Sequence, residues 1–282
     1  MPRRPELMWS WLPQGPGCTA VAALLQDKDA LRRAWCKRFS ASSVLFVGDS
    51  TQGQLFLSFA HLAGVGSTVS RMSQCALRKF NTEPRELNVT TQLCGGTGTG
   101  AVTARFLRNE LLRIGPNQAG VVTDAKNGDH WLCDFESAAR EAHLIILNRG
   151  QHYVPDMEFK RTLADTLAVL QQLSPGATIV YRSTWSNFEG CAELPDPLPL
   201  PYEYSGRGSQ VDEWRLIQEQ NQLAREVVER AGALWLNIYQ SSAYRPGGHQ
   251  HAARARFCSH YCLPGPVDDW SMLLMALTLS KR

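Results

Sequence analysis

V44-L-F-V-G-D-S-T51 is the stretch on which the fold of this chain turns. Val44 to Val47 is a short apolar run, of the length and character of a strand buried on both faces. Gly48, Asp49 and Ser50 stop it, and Gln52–Ala63 follows with Leu55, Phe56, Phe59 and Leu62 at helical spacing. Strand, tight turn and helix in that order put Ser50 at the carboxyl end of a buried strand. Open α/β sheets place ligands there, with helix-start N–H groups facing negative charge. The tripeptide alone is explained equally well by Asp49 or Ser50 capping the helix.

Outward from this unit the pattern repeats. His143–Leu147 and Ala177–Arg182 read as buried strands, Ala233–Ile238 as another, and Ala101–Phe106 alternates like a strand. Helical periods cover Glu158–Leu173, Val211–Ala231 and Pro266–Thr278, with a short helix near Asp29–Trp35. Strands alternating with helices predict an α/β fold: a mainly parallel sheet with helices on both faces. Residues 65–100 read as loop or small insert. Their G95-G-T-G-T-G100 run follows no strand and opens no helix, so it is no dinucleotide site. Residues 191–204 read as a stiff loop with prolines at 195, 197, 199 and 201, and residues 239–263 as a second loop. Residues 1–40 are an N-terminal lead-in or cap, and 41–282 form the main domain.

The chain has 282 residues, 44% of them hydrophobic, enough for a sizeable core. Its 29 basic and 26 acidic residues are interspersed and leave a net charge of +3, which argues against a nucleic-acid partner. Eight cysteines suggest up to four disulfides and an oxidising compartment, buried free thiols being the alternative. Cys258 and Cys262 bracket His260 too closely for a zinc finger, and no metal is expected. Asn88-Val89-Thr90 is an N-glycosylation sequon. No run of about 18 apolar residues exists, so no membrane span is expected, and Met1–Pro13 lacks the apolar core of a signal peptide. Entry to a secretory route therefore calls for a further segment upstream.

A serine hydroxyl needs a base to accept its proton. N148-R-G-Q-H152, V180-Y-R-S-T-W-S-N-F-E-G-C191 and C258-S-H-Y-C262 follow strands or precede the last helix, so they converge on the rim that holds Ser50. Asn148 is placed to offer an amide donor to an oxyanion, and His260 to serve as the base on a disulfide-clamped loop.

F46-V-G-D-S50, N148-x-G150-x-H152, Y181-R-S-T-W-S-N-F-E-G-C191, Y244-R-P-G-G-H249 and C258-S-H-Y-C-L-P-G265 followed by V267-D-D-W270 together resemble the PC-esterase or trichome birefringence-like family of SGNH-type hydrolases and transferases. The resemblance implies an SGNH-hydrolase-like, flavodoxin-like sheet with a small loop-rich, disulfide-supported lobe. It further implies an O-acetyltransferase in the Golgi lumen or secretory pathway, acting on cell-wall or other polysaccharide. Ser50 would be the nucleophile and His260 the general base. The oxyanion hole would combine Ser50, Asn148 and a glycine, Gly96 or Gly98. Arg182, Arg245, His249 and Trp185 are candidate substrate contacts, and Phe188, Tyr202 and Tyr204 candidate sugar-stacking rings. No bound cofactor is implied. The co-substrate is an acetyl donor, acetyl-CoA or an acetylated carrier, with a donor-supplying partner protein as a further candidate.

One residue departs from the family. The position three before the histidine is aspartate there and Phe257 here. Loss of the acid of a Ser-His-Asp triad costs about four orders of magnitude in rate. Asp268, Asp269 or a backbone carbonyl are the candidate replacements, although Asp268 also suits a helix cap. The alternatives to transfer are a carbohydrate acetyl esterase and a catalytically impaired glycan-binding homologue.

Overall fold

β1 (Ser43–Gly48) is the centre of the molecule, and both of its faces are covered. The computed structural model describes residues 25–65, 70–71, 88–95, 100–115, 120–124, 128–150, 152, 154–191, 194–195, 197–202, 209–249, 257–258 and 260–281. α1 (Lys28–Arg38) precedes β1, and α2 (Ser50–Ala63) follows it. Next come β2 (Ser70–Arg71), β3 (Asn88–Leu93), β4 (Val102–Arg108), a hairpin of β5 (Gly120–Asp124) and β6 (Gly128–Leu132), and α3 (Glu136–Glu141). β7 (Leu144–Leu147), α4 (Asp156–Leu173), β8 (Thr178–Arg182), β9 (Phe188–Glu189), α5 (Ser209–Arg230) and β10 (Leu234–Leu236) continue the alternation. α6 (Tyr239–Ala243), β11 (Phe257–Cys258) and α7 (Pro266–Ser280) complete it.

The main sheet has the order β10-β8-β7-β1-β4-β3-β2. β10, β8, β7, β1 and β4 are parallel, whereas β3 and β2 run antiparallel at one edge. β1 pairs with β4 on one side and β7 on the other, so the chain reverses its direction of winding at β1. That reversal opens a crevice at the carboxyl ends of the strands, the usual ligand site of such sheets.

Residue alternation along β1 divides the core. Val44 and Phe46 face one cluster with Trp35, Phe56, Phe59 and Trp270 from α1, α2 and α7. Leu45 and Val47 face a second cluster with Leu163, Leu167, Leu170 and Val228 from α4 and α5. With both faces buried, alternation disappears from the sequence and an apolar run remains. Truncation of a ring such as Phe46, which is fully buried, costs about 3–5 kcal/mol. α1 is a layer of this core: Trp35 is fully buried, and its indole N–H donates to Thr278 Oγ1 at 3.2 Å.

The structure corrects several expectations. β3 lies in a segment expected to be loop; its buried positions are Asn88, Val89, Thr91 and Leu93, and the Asn and Thr among them weaken the apolar signal of a half-buried strand. The β5–β6 hairpin was not anticipated, and the expected loop at 239–263 contains α6 and β11. The sequon residue Asn88 is 5% exposed, and its amide oxygen accepts from Arg105 Nε at 3.2 Å, which argues against a glycan there. Cys36 pairs with Cys94 and Cys191 with Cys258, and Cys133 is also disulfide-bonded. Among the described residues Cys262 is a free thiol that donates to the His249 carbonyl. Among the described residues no helix is long and apolar enough to cross a membrane.

Candidate active site

The turn from β1 to α2 is held by buried polar groups. Asp49 is the N-cap of α2: its Oδ1 accepts the N–H groups of Thr51 at 2.8 Å and Gln52 at 3.1 Å, together with the Thr51 hydroxyl. Arg182, at the end of β8, is fully buried and donates to Gln52 Oε1 at 2.9 Å, Thr51 Oγ1 at 3.0 Å and the Ser183 carbonyl at 3.1 Å. Gln52 also donates to the Ile146 carbonyl of β7 at 3.0 Å. Burial opposes the Asp49 charge. Arg182, His152, the Thr51 hydroxyl and the Gln52 N–H overcome that cost and hold the carboxyl below its ordinary value. Glycine is required at 48, where a Cβ would lie 2.8 Å from the Asn148 carbonyl oxygen.

This scaffold presents Ser50. Its Oγ lies 2.9 Å from His260 Nε2, across 210 residues of sequence. Gln54, one turn along α2, clamps the histidine loop: its amide donates to the Tyr261 carbonyl at 2.6 Å and accepts from the Tyr261 N–H at 3.3 Å. The Cys262 N–H donates to the Gly248 carbonyl at 2.7 Å, and His249 Nδ1 lies 3.2 Å from the His260 carbonyl oxygen. The His249 ring stacks on Tyr261 at 3.8 Å. β11 pairs with β9, and the Cys191–Cys258 bridge fastens the same two strands.

Burial lowers the His260 pKa, with Arg108 and His152 adding to the effect and Asp49 opposing it. The ring is therefore neutral at pH 7 and able to accept the serine proton. The N–H groups of Thr51 and Gln52 are taken by Asp49 Oδ1, and that of Gly53 by the Asp49 carbonyl. The Ser50 N–H remains uncommitted at the helix start among the described residues.

The other expected site residues are redistributed. Asn148 is fully buried, and its amide donates to the Arg182 carbonyl at 3.0 Å and Thr184 Oγ1 at 3.3 Å. Inverting the amide would set two acceptors against each other, so both donors are spent and the oxyanion role is removed. Gly150 packs beneath it; a Cβ there would overlap Thr184 Oγ1 at 1.6 Å. Asp268 accepts from the Ser58 hydroxyl at 2.5 Å and the Gly265 N–H at 2.9 Å, which makes it part of the α7 cap and not an orienting acid.

Arg182 and Trp185 are fully buried, with the guanidinium 5.7 Å from the Trp185 ring and 5.6 Å from Trp270. They support the turn instead of meeting substrate. His249 is fully buried behind His260, and Arg245, 7% exposed, lies 3.8 Å from Asp269, so neither is a glycan contact. Phe188 is fully buried against Tyr202 at 4.9 Å. Gly96, Gly98 and Tyr204 lie outside the described residues, as do Cys18 and Cys75. Phe257 is a β11 residue paired with Glu189.

Sequence reasoning missed Gln52 and Gln54, whose partners are remote in sequence, and it missed Glu110. Glu110 follows β4 on the same rim, contacted by Arg108, His130 and His152.

Residues 157–277, which contain His260, match the family described as PC-esterase, a GDSL/SGNH-like acyl-esterase family found in Pmr5 and Cas1p. The chain is 22% identical over 321 residues to protein trichome birefringence-like 12 of Arabidopsis thaliana, covering 97% of this chain and 75% of that protein. Solved structures similar to it include a peptidoglycan O-acetylesterase, with TM-score 0.45, 13% identity, and 85% and 93% of the two chains covered. Another is the periplasmic domain of a lipopolysaccharide acetyltransferase from Salmonella ser. Paratyphi A, with TM-score 0.44, 14% identity, and 87% and 85% covered. An acetylxylan esterase of Geobacillus stearothermophilus has TM-score 0.41 at 12% identity, with 85% and 93% covered. The PC-esterase match, joined to the Ser50–His260 contact, makes this chain an esterase or acyltransferase of the SGNH type.

Proposed function

We propose that this PC-esterase homologue is a polysaccharide O-acetyltransferase that carries the acetyl group on Ser50. The observation that supports the reading most is the 2.9 Å approach of Ser50 Oγ to His260 Nε2 at the switch point of the sheet. Neutral His260 takes the hydroxyl proton as Oγ bonds to the carbonyl carbon of the acetyl donor. The developing oxyanion meets the Ser50 N–H at the start of α2. Collapse of the tetrahedral species breaks the bond to the leaving group, which receives the proton from His260 and leaves acetyl-Ser50. An acceptor hydroxyl then loses its proton to His260 and attacks the acetyl carbonyl, and the proton returns to Ser50 as the ester bond to the enzyme breaks. The resemblance of the sequence blocks to the PC-esterase or trichome birefringence-like family supports a glycan acceptor. The disulfides fit a Golgi or secretory compartment.

Water in place of the sugar hydroxyl would make the same acyl-enzyme an acetyl esterase. Incubation with an acetyl donor and xylan-derived or mannan-derived oligosaccharides, with Ser50→Ala as control, separates the readings. Acetylated oligosaccharide from the wild type alone is expected. Acetate release from acetylated xylan without transfer would replace the transferase reading by the esterase one, and equal product from both proteins would overturn both.

A further inference from the structure

Three residues, from β6 and from the segments after β4 and β7, meet beside the Ser50 rim. Glu110 follows β4, His130 lies on β6, and His152 lies in the loop after β7. One ligand atom from each lies within 4.8 Å of the others. His130 Nδ1 is 3.5 Å from Glu110 Oε2, and His152 Nε2 is 3.5 Å from Glu110 Oε1. The two imidazoles meet edge to face with centroids 5.0 Å apart.

Those separations are long for N–H···O hydrogen bonds. They match the roughly 3.4 Å between two ligand atoms that share a tetrahedral ion about 2.1 Å from each. His130 is 2% exposed, and its Nδ1 is buried without a hydrogen-bond partner. A buried imidazole nitrogen facing a carboxylate at the outer limit of hydrogen-bond length is poorly satisfied unless something lies between them. The carboxylate is also braced as metal-bound carboxylates are: Oε1 accepts from Arg108 Nε at 2.7 Å, and Oε2 accepts from the Trp131 N–H at 3.0 Å. Each carboxylate oxygen has a further lone pair for an ion lying between it and the imidazoles.

We propose that Glu110, His130 and His152 form a binding site for a divalent first-row metal ion of the zinc class. Two imidazoles and one carboxylate favour such an ion over magnesium or calcium, which take oxygen ligands. The His152 side chain is 24% exposed, so the site opens to solvent on that side and leaves a fourth position for water or a substrate oxygen. The expectation of no metal, read from cysteine spacing, did not consider these three residues, because no local motif joins them.

The test uses the full chain, stripped with a chelator and titrated with zinc or cobalt(II) chloride. The expected result is about one zinc ion per chain and visible cobalt absorption of a nitrogen-ligated site, with equal binding by Ser50→Ala. Glu110→Gln, His130→Ala and His152→Ala should each weaken binding by more than the roughly 10–100-fold lost with a mere supporting partner. His152 is partly exposed, so His152→Ala keeps the test open if His130→Ala fails to fold, as far-UV circular dichroism would show. No stoichiometric binding by the folded wild type, or undiminished binding by folded His152→Ala and Glu110→Gln, would overturn the site. The outcome is independent of the acetyl-transfer reading, since Ser50→Ala binds metal whether or not Ser50 carries acetyl.

Discussion

The ends of β1 and β8 lie on one rim of one sheet, yet their polar residues behave oppositely. Ser50, after β1, is partly exposed and its hydroxyl meets His260. Arg182, ending β8, is fully buried, with Gln52, Thr51 and Ser183 as hydrogen-bond partners. From residue types alone both belong to the chemistry. Burial and hydrogen-bond commitment separate the group that reacts from the group that holds it in place. A charge fully buried and hydrogen-bonded within the fold does not reach a substrate.

The largest expected effect is at the reacting end. His260→Ala should lower kcat/KM on the order of 10²-fold. A complete triad would lose about 10⁶-fold, but Phe257 has already removed the orienting acid, worth about 10⁴. Ser50→Ala added to His260→Ala should cost nothing more, since the pair acts as a unit. Burial depresses the His260 pKa, so the base is neutral at pH 7 and protonated only below the free imidazole value of about 6.5. Hence kcat/KM should be flat near neutrality and fall only at pH below that value. An acid limb centred above it would contradict the assigned environment.

At the holding end the effect should appear in stability. Arg182→Met removes the buried charged hydrogen bonds to Gln52 and Thr51 and the positive charge that favours ionised Asp49, a loss of about 3 kcal/mol that a urea midpoint would record. If Arg182→Met instead kept its stability and raised KM for a glycan, Arg182 would be a substrate contact and the comparison would fail.

How far these roles could be read beforehand differs by residue. β1, β7 and β8 are legible because burial on both faces leaves unbroken apolar runs, and the helices because their apolar spacing matches the helical period. β3 was hidden by its Asn, Thr and Gln residues, since one of its faces is polar. Motif blocks point to Ser50 and His260, which the structure brings together, and equally to Asn148, Arg182, Trp185 and His249, which it buries. Sequence conveys donor chemistry without showing which way the donors point. Gln54 lies one helical turn from Ser50, yet its partner Tyr261 is 207 residues away, beyond any local pattern. Glu110, His130 and His152 share no spacing rule, because only the main sheet and the β5–β6 hairpin together bring them close.

The smallest effect should come from Asp268→Ala. Loss of the contact that accepts the Gly265 N–H should cost about 0.3–1.5 kcal/mol of stability and leave kcat unchanged. A fall in kcat like that of His260→Ala would make Asp268 the acid that replaces Phe257.

The central claim is that Ser50, activated by His260, carries the acyl group. Rapid-quench intact-mass spectrometry during turnover of an activated acetyl ester tests it most directly. The account predicts a transient species heavier by one acetyl group, mapped to the peptide containing Ser50, in the wild type and absent from Ser50→Ala. Turnover that depends on Ser50, with acetyl found on another residue, would contradict it, as would an acetylated species that forms equally in Ser50→Ala.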